Sequence, residues 1–183
     1  LALTATTPIP GAIKTFTDWT VGCDNGRSCQ AVGLMPVDEI EATTMVISRG
    51  PQPDAVPEIR INIRDGMAVA LSLDGVVLPV GIEMMEGVVY IEHRDRMAAV
   101  KAIRNGKQIN VLDKAGKEIG MVSLRGLTAA LIYIDDRQKR VGLLSAIGRP
   151  GTIPDSDVEA PPPIPVIVRP PASKLSPRAL TAG

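Results

Sequence analysis

The stretch EIRINIRDGMAVALSLDGVVLPV, residues 58–80, constrains the fold most. Ile59, Ile61 and Ile63 alternate with Arg60, Asn62 and Arg64, a spacing of two that separates apolar from polar side chains only on an extended strand. Asp65-Gly66 and Asp74-Gly75 then mark two turns, because Gly accepts the backbone angles a tight reversal needs. MEGVVYIEH adds a strand after Glu86-Gly87, and QINVLDKAGKEIGMVSL reads as a hairpin turning at Lys114 to Gly116. WTVGC, CQAVGLMP and TTMVIS supply three earlier short strands, so the chain is mostly antiparallel β structure.

Two segments switch to helical spacing. HRDRMAAVKAIRNG puts Met97, Val100 and Ile103 on one face and ends at Asn105-Gly106, a helix-stop signal. SLRGLTAALIYIDDRQKR puts Leu127, Ala130, Leu131 and Ile134 on one face, with Ser123 as the expected cap and Asp136 four residues before Arg140. VGLLSAIG, residues 141–148, is expected to return as a final strand. The fold class is therefore α+β and mostly antiparallel: a twisted sheet, partial barrel or sandwich with two short helices.

Proline sets the boundaries. Nine of the sixteen prolines lie from Pro150 onward, three of them consecutive at Pro161 to Pro163, and such a run resists packing. The expected organisation is a flexible N-terminus over 1–11, a β-rich domain over 12–149 and a Pro-rich tail or linker over 150–183. Within the tail, PIPVIVRP (163–170) alternates Ile164, Val166 and Val168 with Pro165 and Ile167, and suits an added strand at a sheet edge, where proline's missing N–H is tolerated. Its partner is the same domain's sheet or that of a neighbouring molecule, the second a route to self-association.

Both cysteines and the single Trp fall in DWTVGCDNGRSC, residues 18–29. Cys23 and Cys29 flank Asn25-Gly26, and a turn there brings the thiols close enough to bridge. Closing so short a loop contributes roughly 2–2.5 kcal/mol through chain entropy. The alternative is a pair of free core thiols. C-x5-C without a second Cys or His pair does not suit structural zinc, and it is not a C-x-x-C redox motif. A disulfide implies an oxidising compartment, periplasmic or secreted. With one Phe and two Tyr in the chain, Trp19 is the largest wedge for the core, and Phe16 and Trp19 are both read as structural.

Charge excludes several functions. Lys plus Arg equals Asp plus Glu, and no basic block suggests a nucleic-acid partner. No apolar run approaches the roughly 20 residues of a membrane-crossing helix. His93 is the only histidine and no G-x-S-x-G surrounds a serine, so an exposed or capping role is expected of it and no catalytic residue is assigned. Asp135 and Asp136 with Arg137 and Arg140 read as a solvated helix face stitched by ion pairs. Neither a calcium loop nor a phosphate-binding glycine motif occurs, and no metal or other cofactor is expected. Arg49, Arg60 and Arg64 are the candidate binding patch for an anion or a partner, against the plainer reading of ordinary solvent-facing residues.

The order of features carries a resemblance. Phe16-x-Asp18-Trp19 runs into the cysteine pair, MVISRGP leads to IRINI, and VSLRGLTAALIYIDDRQKRVG closes the domain. The most specific parts are F-x-D-W…C-D-N-G-x-x-C and L-x-G-L-x-A-A-L…D-D-x-Q-x-R. Over about residues 14–149 the chain resembles the periplasmic family related to invasion-associated locus B proteins, most nearly its sister, domain-of-unknown-function family 1176. The resemblance implies an exported envelope protein, and the founding name suggests a link to host-cell invasion. It carries over no catalytic residue. Members often continue past a Pro-rich stretch into a second part, and the tail here resembles that junction. The expected function is a non-enzymatic envelope domain that binds a protein or envelope component. An enzyme with an unrecognised site and a structural spacer before a second domain are the alternatives.

Overall fold

The computed structural model describes residues 13–33 and 43–160. The expected flexible N-terminus and the expected strand at 163–170 lie outside the described residues. Among the described residues eleven strands form two antiparallel sheets, and neither closes into a barrel. The large sheet holds seven: β1 (Lys14–Phe16), β2 (Trp19–Cys23), β3 (Cys29–Gly33), β4 (Thr44–Arg49), β5 (Glu58–Asn62), β8 (Ile82–Met85) and β9 (Val88–Ile91), in the order β1-β2-β3-β4-β5-β9-β8. The small sheet holds β6 (Ala70–Leu73), β7 (Val76–Val77), β10 (Gln108–Leu112) and β11 (Glu118–Ser123), in the order β11-β10-β6-β7. Strands joined by short turns pair with their sequence neighbours, as turn-linked antiparallel strands should. The exceptions are the bend at Asp65-Gly66, where the chain leaves the large sheet at β5 and enters the small one at β6, and residues 78–81, where it returns from β7 to β8.

The period of two sorts the large sheet cleanly. Trp19, Val21, Ala31, Met45, Ile47, Ile59, Ile61, Val89 and Ile91 are buried on one face, and Thr20, Gln30, Ser48, Arg60 and Tyr90 alternate with them on the other. Leu71, Ile109, Val111 and Val122 of the small sheet complete the same core. Two helices close it. α1 (Arg96–Ile103) buries Ala99, Val100 and Ile103 and packs on β5. α2 (Leu127–Arg137) buries Leu127, Ala130, Leu131 and Ile134 and packs on β1, β2 and β3. Each helix thus turns its apolar stripe to the sheet.

Two expectations need correction. Ser123 does not cap α2; it ends β11, and Gly126 stands at the cap with φ +93°. Only a residue without Cβ fits there, since a Cβ on Gly126 would run into the Phe16 carbonyl. Residues 141–148 do not form a strand but a series of turns, held by one parallel bridge from Leu143 to Ile153. The chain keeps packing beyond residue 149: Gly151 N donates to the Leu143 carbonyl at 3.1 Å, and Val158 is buried.

Candidate functional site

The two most specific sequence segments meet in space, at two junctions. In the first, Trp19 is fully buried and its indole N–H donates to the Ser123 carbonyl at 3.0 Å. Its ring lies over Gly33, its cross-strand partner on β3; a Cβ there would come within 2.7 Å of the ring. The Ser123 hydroxyl donates to an Asp18 carboxylate oxygen at 2.6 Å, and Asp18 N donates to the Arg125 carbonyl at 3.2 Å. Phe16 packs at a tilt on Tyr133 of α2, with ring centroids 6.1 Å apart. F-x-D-W therefore holds the start of α2 and the end of β11.

The second junction lies at the far end of α2, and it overturns the reading of a solvated, ion-paired helix face. Asp135, Gln138 and Arg140 are buried, while Asp136 and Arg137 face solvent. The helix stops at Arg137, and Lys139 takes φ +59°, which turns Arg140 inward instead of toward Asp136. Asp135 accepts three backbone N–H groups: Ile147 at 2.9 Å, Gly148 at 2.7 Å and Arg149 at 3.0 Å. The Gln138 amide donates to the carbonyls of Arg27, Arg49 and Gly50 at 2.9–3.0 Å. The Arg140 guanidinium donates to the Pro53 carbonyl at 3.0 Å and the Ser145 hydroxyl at 2.9 Å, and also reaches the carbonyls of Pro51 and Gln52. These side chains satisfy the backbone of three loops that would otherwise bury unpaired polar groups.

Arg49 belongs to this junction. Its Nε donates to the Ala55 carbonyl at 2.9 Å, and its guanidinium lies 3.9 Å from Asp135. Burial, reinforced by the nearby Arg140 and opposed by Asp135 and Asp155, lowers its pKa to about 10. Burial likewise lowers Arg140, against the pull of Asp155 and Asp135.

Arg49, Arg60 and Arg64 are not brought together. Arg49 shares the buried face of β4 with Met45 and Ile47, whereas Arg60 pairs with Val46 on the opposite face. Arg64 lines a shallow hollow of about 290 Å³ with Asp65, Lys117 and Glu118, where the charges alternate in sign. His93 opens a one-turn 3-10 helix (His93–Asp95) and is exposed. Cys23 and Cys29 are bonded, opposite each other in the β2–β3 register. Arg27, between them, grips the chain ahead of the proline run: its guanidinium pairs with Glu159 at 2.7 Å and donates to the carbonyls of Glu159 and Ala160. Among the described residues no cluster of three or more His, Cys, Asp or Glu is arranged to hold a metal ion.

Of the exposed large apolar side chains, five fall between residues 67 and 85, and Ile13, Ile132, Val141, Leu144 and Ile153 lie elsewhere. Met67, Val69, Val76, Val77 and Met85 are each about half or more exposed. Val76 and Val77 form β7 and Met85 ends β8, each the outermost strand of its sheet, while Met67 and Val69 precede β6. The Ala68 N–H contacts the Met84 sulfur at 3.3 Å, which ties the segment before β6 to β8. Sequence reading missed this rim because its alternation resembles that of the core strands, and only the sheet order shows that it ends at two edges.

Fold and junctions define a disulfide-stapled, two-sheet α+β domain whose specific sequence segments are its clasps. The chain belongs to the family described as proteins of unknown function, DUF1176, which it matches over residues 13–183. It is 33% identical over 172 residues to the uncharacterized protein YpfG of Escherichia coli strain K12; the match covers 85% of this chain and 46% of the relative, so the chain spans about half of that protein's length. Among solved structures, the invasion associated protein B of Bartonella henselae matches at 20% identity with a TM-score of 0.49, over 70% of this chain and 99% of that one. Among the described residues no helix is long and apolar enough to cross a membrane.

Proposed function

We propose that this chain is a non-enzymatic, exported cell-envelope domain that binds a protein or another envelope component through the apolar rim of β7 and β8. The observation that carries the proposal is a division of labour among side chains. Asp135, Gln138 and Arg140, the polar residues of the specific C-terminal segment, are committed to backbone groups inside the fold. Val76, Val77 and Met85 stand in water on strands with one unpaired edge. Free sheet edges with apolar side chains invite strand pairing and partner burial. The Cys23–Cys29 bond supports an extracytoplasmic location, since cytosolic thiols are kept reduced.

The test is charge placed on the rim. Val77→Glu and Met85→Glu, in the full chain, are expected to lose a complex recovered from envelope extract while thermal stability stays unchanged. Retention of the complex by both variants would refute the assignment of the surface.

A further inference from the structure

Charge is segregated along this chain in a way that the balanced total hides. Residues 65–86 contain Asp65, Asp74, Glu83 and Glu86 and no Lys, Arg or His. All four acids are exposed, and they flank the exposed Met67, Val76, Val77 and Met85. Residues 161–183 contain Arg169, Lys174 and Arg178 and no acid, with Ile164, Val166, Ile167 and Val168 just ahead of the first cation. One segment is apolar and acidic with a free strand edge, and the other is apolar and basic with β-forming side chains.

We propose that residues 164–169 of one copy add as a strand to the free edge of β8 in a second copy. The proposal rests on the rim reading above and names the occupant of its β8 side. With Ile164, Val166 and Val168 directing their amides to β8, Pro165 falls at the outward parity, where its missing N–H costs no hydrogen bond. Arg169 then follows the apolar run to an edge that carries Glu83 and Glu86. Neither acid forms an ion pair among the described residues.

Chain length favours a second copy over the same one. Arg27, in the β2–β3 turn, holds Glu159 and Ala160. β8 lies four strand positions from β3, about 19 Å across the sheet. From Ala160 to Ile164 the backbone spans at most roughly 14 Å. Within one copy, residue 164 reaches the outer side of β8 only if the Arg27 side chain and residues 160–164 both extend fully toward it; between copies no such limit applies. The screened attraction of opposite charges favours the same docking.

Full-length chain carrying a spin label at Ser173→Cys, without isotope, is mixed with unlabelled-cysteine chain enriched in nitrogen-15. Paramagnetic broadening of the amides of 82–86 in the enriched copy, growing with concentration and lost when the spin-labelled chain also carries Val166→Asp, is the expected result. Absence of that broadening, its appearance at β1 instead, or its persistence with Val166→Asp would overturn the proposal. Broadening of 82–86 only within a doubly labelled single chain, independent of concentration, would also overturn it. The rim reading fails separately, if Val77→Glu and Met85→Glu both leave the envelope complex intact.

Discussion

The Trp19 indole N–H and the Ser123 carbonyl, 104 residues apart in sequence, meet at 3.0 Å and join β2 of the large sheet to β11 of the small one. The same ring fills the space left by Gly33. Trp19→Ala therefore removes a fully buried aromatic and a contact between sheets, and should destabilise the domain by roughly 3–5 kcal/mol. Gly33→Ala presses a methyl group into an immobile ring and should cost about 1–3 kcal/mol. Denaturant melts of both variants check the pair.

Asp135 is a buried carboxylate with three backbone donors and Arg49 nearby. Asp135→Ala leaves two buried N–H groups and a partly buried one unpaired, and the Arg49 charge uncompensated, for an expected loss of about 3–5 kcal/mol. Asp136→Ala, one residue along and exposed, should change stability by less than about 0.5 kcal/mol. Equal effects in denaturant melts would mean that the junction does not form.

Asp155 should make the 143–158 segment acid-sensitive. Burial raises its pKa, but hydrogen bonds from the Ser145 hydroxyl and amide, with the charges of Arg140 and Arg49, outweigh burial and hold it below the ordinary carboxylate value. A depressed folded-state pKa means that the contribution is complete above the unfolded pKa of about 3.9 and is lost as pH falls through the folded one. The Ser145 amide shift, followed by NMR, should titrate with a midpoint below that value, and Asp155→Asn should abolish the titration.

Opening the disulfide tests the staple. Cys23→Ala with Cys29→Ala should lower stability by roughly 2–2.5 kcal/mol, the loop-closure contribution. A destabilisation near zero in denaturant melts would show that the β2–β3 pairing fixes this turn without the bond.

Much of the fold is legible in the sequence because its causes are local. Alternation at Ile59, Ile61 and Ile63 marks β5, and helical spacing at Leu127, Ala130, Leu131 and Ile134 marks α2. The buried junction is also encoded, though less visibly. The stripe Leu127–Leu131 continues at a spacing of four to Asp135, and Ile134 continues to Gln138, so the core face of α2 ends in polar residues. Arg49 likewise has the parity of Met45 and Ile47, which places it inside. Reading Asp136 and Arg140 as a helical pair fails because the helix ends at Arg137. The meeting of Trp19 with Ser123 and the outermost positions of β7 and β8 depend on long-range strand order, which no local pattern specifies.

In the proposed division of roles, the rim binds and the clasps hold the fold. A photo-reactive residue placed in the full chain at Val77 or Met85, and at the exposed Gln30 of β3 as a control, tests it directly in the intact envelope. Higher-mass adducts are expected on irradiation from positions 77 and 85 and none from position 30. Adducts from position 30 alone, or from none of the three, would contradict it.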